Sequence, residues 1–170
     1  APSIFEEKRA LELLDATLAD SVTVHQRADV PYGMFLSGGV DSAALLSVMS
    51  ELNEEPVVAY TVGFEGDGSD ERALAGLLAR KAGARHVPIE VSAEDFVQTM
   101  PRAVAAMDDP AADYAILPTY LLAAAAAKDV KVVLTGEGGD ELFAGYGRYR
   151  SVLRPFWQGG REMRTRGVFH

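Results

Sequence analysis

Cysteine is absent from this chain. That excludes disulfides, zinc-thiolate centres and a cysteine nucleophile. Long apolar runs are missing too. The longest bland stretch, Leu121 to Ala127, falls far short of a membrane span and reads as buried helix. The N-terminus carries no signal-peptide pattern, so the sequence reads as a cytoplasmic protein with no membrane partner. Positive charge is scarce: 16 Lys and Arg face 25 Asp and Glu, a formal net charge of -9. Such a surface repels nucleic-acid phosphates. A small anion stays admissible where a metal ion or oriented backbone dipoles offset the field. Histidine is sparse. His25, His86 and His170 show no metal-ligand spacing with one another and read as surface or core residues.

What is present suits one globular domain. The 170 residues are 48% hydrophobic, enough to bury a core. Ser3 and Glu6 form a capping-box pattern, and Leu11, Leu14, Leu18 and Val22 recur at helical spacing. Pro31 closes that region. Tyr32 to Leu36 reads as a buried strand, Ala43 to Leu52 as a helix and Val57 to Phe64 as a second strand. A glycine- and acid-rich loop, Glu65 to Asp70, precedes a helix that Ser69 could cap, running to Ala82 with Gly83 as its stop. Arg85 to Val91 reads as a third strand. Ser92 and Asp95 open a helix to about Met107, broken by Asp108-Asp109-Pro110. Leu117 to Lys128 is a further helix with Pro118 in its first turn. Lys131 to Thr135 is a fourth strand, followed by another helix.

Strands alternating with helices imply an α/β fold. The expectation is a parallel sheet of about four to five strands, in the order 3-2-1-4, with helices on both faces. Residues 1–30 would form an N-terminal helix, 31–150 a nucleotide-binding core and 151–170 a basic tail containing Arg154, Arg161, Arg164 and Arg166. No internal repeat or low-complexity linker is visible.

Ligands of open α/β sheets bind at the C-terminal ends of strands, where the strand order reverses. Two glycine-rich loops occupy such ends. In Ser37-Gly38-Gly39-Val40-Asp41-Ser42 the glycines permit close backbone approach, the next helix offers free amides, and Ser37 and Ser42 add hydroxyl donors. The lysine of a Walker A loop is absent. Asp41 would repel a phosphate unless a divalent cation bridged the two, and Mg2+ favours one or two carboxylates with phosphate oxygens and water. The second loop, Gly136-Glu137-Gly138-Gly139-Asp140-Glu141, crowds three acids into a turn, which again calls for a cation or raised pKa values. Asp41 and Asp140 are the candidate metal ligands. Each loop also has a plain structural reading, as a tight turn with acids at a helix start.

Ser37-Gly38-Gly39-Val40-Asp41-Ser42 resembles the PP-loop of the ATP pyrophosphatases, enzymes that split ATP into AMP and pyrophosphate on an adenine-nucleotide alpha-hydrolase-like fold. Asp108-Asp109-Pro110, Leu117-Pro118-Thr119-Tyr120-Leu121-Leu122 and the stretch from Val132 to Tyr146 resemble, in order and spacing, the synthetase domain of glutamine-hydrolysing asparagine synthetases. The resemblance implies that the first loop holds pyrophosphate, with Asp41 and Asp140 on Mg2+. It implies that Leu36, Val62, Thr135 and Gly136 bound the adenosine of ATP. Glu137 would take a proton from ammonia, and Glu141 would lie near the amino-acid substrate. The implied reaction joins aspartate to AMP and then to ammonia. The implied partners are these small molecules and a glutaminase domain, and a homodimer is compatible.

The chain departs from the family in three ways. It carries no N-terminal cysteine, so a glutaminase domain is not expected within these residues. The family domain continues past residue 170 and there supplies a lysine that neutralises phosphate charge, so the chain alone is expected to be inactive. Where many relatives carry hydroxyls before the Pro-Thr-Tyr segment, this chain has Asp113, Tyr114 and Ala115, which leaves the acceptor carboxylate open. The rival readings are a β-lactam synthetase-like enzyme on the same scaffold and a non-catalytic nucleotide-binding module. The acid-rich second loop argues against the latter, since a passive binder has no need of Glu137 beside Asp140.

Overall fold

The computed structural model describes residues 6–66, 70–107, 113, 115–147 and 149. Among these residues ten elements follow one another: α1 (Glu7–His25), β1 (Tyr32–Phe35), α2 (Val40–Leu52), β2 (Val58–Phe64), α3 (Arg72–Lys81), β3 (Arg85–Val91), α4 (Ala93–Ala105), α5 (Ile116–Ala126), β4 (Val132–Leu134) and α6 (Gly139–Phe143). Ser3, Ser69, Asp67, Asp108-Asp109-Pro110, Tyr114 and the tail 151–170 lie outside the described residues.

The four strands form one sheet in the order β3-β2-β1-β4, and every pairing is parallel. This is the strand order expected from the sequence. The order reverses between β1 and β4, so the chain emerging from β1 and the chain emerging from β4 leave neighbouring strand ends. Tyr32 to Met34 run in register with Val132 to Leu134.

Alternation along the strands builds two apolar layers. Met34, Leu36 and Ala59 pack with Leu45, Leu46 and Met49 of α2, Ala75 and Ala79 of α3 and Val22 of α1. On the other face Tyr60, Phe35, Val58, Val87, Ile89 and Val133 pack with Leu122 and Ala126 of α5. A sheet covered on both faces accounts for the near-continuous apolar reading of β1 and β2. Pro88 sits on β3, at the edge of the sheet, where a missing N–H is tolerated.

Several boundaries differ from the sequence reading for definable reasons. The leucine stripe of α1 packs only at its C-terminal end: Val22 is buried, whereas Leu11 is 52% exposed and Leu14 40%. α2 begins at Val40 rather than Ala43, because the loop turns directly into helix. The Ser92–Asp95 capping box forms as expected, with Ser92 Oγ accepting from the Asp95 amide at 3.1 Å. Gly83 ends α3 with a φ of +70°, the left-handed conformation that glycine adopts without strain.

Polar contacts tie down the edges of the packing. Tyr60 Oη donates to Asp129 at 3.1 Å, and Arg85 pairs with the same carboxylate at 3.6 Å. Burial raises the Tyr60 phenol above its ordinary pKa, and Asp129 adds to the effect. Tyr32 Oη donates to the Asn53 side chain. Among the described residues no helix is long and apolar enough to cross a membrane.

Candidate functional site

The chain forms two compact units, Ala1–Thr135 and Gly136–His170. The first glycine loop belongs to the first unit and the second loop to the second.

The loop after β1 is shaped from within. Ser42, at the start of α2, is only 6% exposed. Its Oγ accepts from the Ser37 amide at 3.2 Å and lies 2.8 Å from Ser37 Oγ. The same hydroxyl is 3.2 Å from the carbonyls of both Ser37 and Gly39. Ser37 Oγ in turn accepts from the Gly39 amide at 3.1 Å. Both hydroxyls, read from the sequence as anion donors, are therefore engaged in fixing the loop. The donors left to face a ligand are backbone amides: that of Gly38, and those of the first turn of α2, which have no intrahelical acceptor.

The Gly38 amide already meets an anion. It donates to Glu71 Oε2 at 3.0 Å. Glu71 stands at the N-terminus of α3, and a side chain at position 38 would press on Leu74 at 3.1 Å and on Glu71 at 3.6 Å. Close approach to Leu74, rather than φ, is what favours glycine here. The carboxylate that follows the acidic loop thus reaches the glycine loop. The base of the acidic loop is clamped by Asp70. This carboxylate accepts from the Arg72 backbone at 2.9 Å and pairs with the guanidinium at 2.7 Å, while Arg72 also reaches Glu90 at 3.1 Å. The guanidinium holds the Asp70 carboxyl below the usual carboxylate range, and its own pKa is raised in return. Gly63 makes room for this clamp, since a Cβ there would lie 2.4 Å from both Asp70 and Arg72.

Asp41 lies half-buried in the first turn of α2, with no side-chain hydrogen bond or ion pair among the described residues. Val40 beside it is 81% exposed. Leu36 is buried at the end of β1, and Val62 is half-buried near the end of β2. Thr135 is exposed just beyond β4, at the strand end next to that of β1.

In the second unit, Glu137 is exposed and precedes Gly138, whose φ is +98°. α6 spans five residues and carries Asp140 and Glu141. It ends at Ala144, which is also left-handed at φ 56°. Tyr146 Oη donates to Glu141 Oε1 at 2.7 Å. A Cβ at Gly145 would meet the Asp140 carboxylate, so glycine lets that side chain keep its present place. The turn is thus built around the Asp140 carboxylate. In the first unit, Asp113 caps a turn before α5 by accepting from the Ala115 amide at 2.8 Å.

Among the described residues no three Asp, Glu or His side chains converge as a metal cluster. A single carboxylate such as Asp41, completed by phosphate oxygens and water, is of the kind that holds Mg2+ with a nucleotide.

Two residues that the sequence reading did not place at the site are joined to it. The buried Thr61 hydroxyl donates to the Leu36 carbonyl at 2.7 Å, and His86 Nε2 lies 3.1 Å from Thr61 Oγ1. His86 sits on β3 and is linked through Thr61 to Leu36, the residue that leads into the glycine loop. Burial first, and then the Arg80 charge, hold its pKa below the ordinary value. A threonine in a strand reads as a β-branched filler, so only its burial on the sheet could have flagged it.

A parallel α/β sheet with a glycine-serine loop at its switch point defines a domain of the doubly wound class, whose ligands sit at that point. Solved structures share this fold. An NH3-dependent NAD synthetase from Campylobacter jejuni aligns with a TM-score of 0.55 at 17% identity, over 80% of this chain and 60% of that one. An NMN synthetase from Francisella tularensis aligns at 0.53 and 19% identity, over 84% and 59%. The model of the family "Asparagine synthase" matches residues 13–167, and the chain belongs to that family. A putative glutamine-hydrolysing asparagine synthetase of Mycobacterium tuberculosis is 47% identical over 145 residues, covering 84% of this chain and 22% of the relative. Asparagine synthetase 1 of Bacillus subtilis is 43% identical over 89% of this chain and 24% of its own length. The chain thus spans less than a quarter of the length of these curated relatives.

Proposed function

We propose that this chain is the ATP-binding part of an asparagine synthetase that activates the side-chain carboxylate of aspartate. The observation that carries the reading is the Gly38 amide directed at an anionic oxygen, in a loop held rigid by Ser37 and Ser42 at the switch point of a family-matched sheet. In this reading the Gly38 amide and the first-turn amides of α2 receive the pyrophosphate of ATP, aided by the positive end of the helix. Leu36, Val62, Thr135 and Gly136 bound the adenosine. The candidate Mg2+ ligands are Asp41 in the first unit and Asp140 in the second, and the ion would supply neutralisation of phosphate charge.

An aspartate carboxylate oxygen attacks the α-phosphorus, and the bond from that phosphorus to the pyrophosphate oxygen breaks. The product is β-aspartyl-AMP. Ammonia then attacks the acyl carbon, the bond to AMP breaks, and Glu137 takes the proton that the nitrogen loses. Glu141 lies near the amino-acid substrate. The task of the protein is positioning and charge compensation. A glutamine-hydrolysing domain supplies the ammonia, and the setting is cytoplasmic. A homodimer fits the reading.

The test is product analysis on the protein at its natural length, with ATP, Mg2+, aspartate and ammonia. AMP and pyrophosphate formed in step with asparagine, and lost on Glu137→Ala or Asp41→Asn, are the expected result. ADP and phosphate as products would overturn the reading.

A further inference from the structure

β1 ends at Phe35, and the chain must leave the sheet at Ser37 to form the glycine loop. Leu36 is the last residue held by the sheet. Its amide donates to the Tyr60 carbonyl at 2.8 Å, the final bond of the ladder. Its carbonyl is at a buried position and needs a donor. A ladder bond there would pull Ser37 back into the strand. Thr61 resolves the conflict. Its hydroxyl, in a residue 2% exposed, donates to the Leu36 carbonyl at 2.7 Å and so replaces the ladder with a side chain.

The proton inventory then determines the state of His86. A carbonyl only accepts, so the single Thr61 proton points at Leu36. His86 Nε2, 3.1 Å from Thr61 Oγ1, must therefore carry a proton and donate. The ring is held by β3 on one side and α3 on the other. Gly76 of α3 is what admits it: a Cβ at that position would lie 3.1 Å from His86 Nδ1. Valine would satisfy the packing of β2 as well as threonine does, so strand formation alone does not explain a hydroxyl at this place.

We infer that Thr61, braced by His86, is a positioning residue that sets the trajectory of the glycine loop for nucleotide binding. The inference rests on the nucleotide reading of that loop, and adds to it two residues that do not touch the ligand. Thr61 acts through the Leu36 carbonyl and His86 acts through Thr61.

Four variants of the protein at natural length test it: Thr61→Val, Thr61→Ser, His86→Leu and His86→Gln. Two readouts are used, hydrogen exchange of the peptide covering residues 36–42 and Mg-ATP affinity. Loss of one buried hydrogen bond predicts about tenfold faster loop exchange and about tenfold weaker ATP binding for Thr61→Val. Thr61→Ser keeps the hydroxyl and stays within about twofold of the parent. His86→Gln keeps an amide donor at the Nε2 position and outperforms His86→Leu on both measures. Loop exchange unchanged in Thr61→Val overturns the inference, whatever happens to the melting temperature. Weaker ATP binding without faster exchange also overturns it, since Thr61 would then act on the nucleotide rather than through the loop. If the parent protein binds no ATP, the nucleotide reading fails, and the exchange comparison still decides whether the brace holds the loop.

Discussion

Replacing Glu71 by alanine should tighten ATP binding. Glu71 Oε2 accepts from the Gly38 amide at 3.0 Å, so the nucleotide must displace a carboxylate oxygen before it can use that donor. An exposed bond of this kind contributes about 1 kcal/mol. The bound state would also keep a like charge beside the phosphates, and at about 4 Å in a water-like medium this adds about 1 kcal/mol of repulsion. Removing both gives a gain of about 1–2 kcal/mol, or about five- to thirtyfold in Kd. Glu71→Gln removes only the charge and keeps an acceptor, so its gain should be the smaller of the two. Calorimetric titration of Mg-ATP into the parent and both variants reads the effect. Added salt should narrow the difference, because the repulsive part is screened. ATP binding weaker in Glu71→Ala than in the parent would refute the reasoning, for it would mean that the carboxylate builds the site rather than filling it.

Three further outcomes follow from the same geometry. Burial and Arg80 of α3 disfavour a second proton on the His86 ring, and Thr61 of β2 needs only the one N–H of the neutral ring. Below about pH 6.5 the unfolded chain takes up that proton more readily than the folded one. The parent should therefore lose stability as pH falls from 7 to 5, and His86→Gln should flatten that part of a denaturation series. Asp70 has a lowered pKa through Arg72. Its stabilising effect is complete above the ordinary carboxylate range and is lost as pH falls through the lower folded value, so Asp70→Asn should melt earlier at pH 7 and show a weaker acid transition. Ala144 holds a left-handed φ of 56°, which costs a non-glycine residue about 1 kcal/mol. Ala144→Gly should raise stability by up to that amount in chemical denaturation, and a loss would show that the side chain is needed.

Much of the scaffold was legible in the residues. β3 was read with its observed bounds, because Gly83 stops the preceding helix and Ser92 caps the next. The β3-β2-β1-β4 order follows from placing both glycine loops at one reversal of the sheet. The errors arise where tertiary partners decide. Leu11 and Leu14 have helical spacing yet remain exposed, since periodicity marks a face without saying what covers it. The start of α2 was missed because Val40 points to solvent and adds nothing to an apolar pattern. At the site, the loop residues were visible as glycine, serine and aspartate at fixed spacing. Glu71, Thr61 and His86 were not, because each meets the loop through contacts distant in sequence: Glu71 with Gly38, Thr61 with Leu36, and His86 through Thr61. Ser37 and Ser42 show the converse, in that their identity was read correctly while their hydroxyls bond to each other.

The central claim is that the glycine loop receives a nucleotide whose phosphates are held with Mg2+ by Asp41. ATP titration by calorimetry, with and without Mg2+, on the parent and on Asp41→Asn tests it most directly. The account predicts binding that requires Mg2+ and is lost on the substitution. Binding indifferent to both Mg2+ and Asp41 would contradict it.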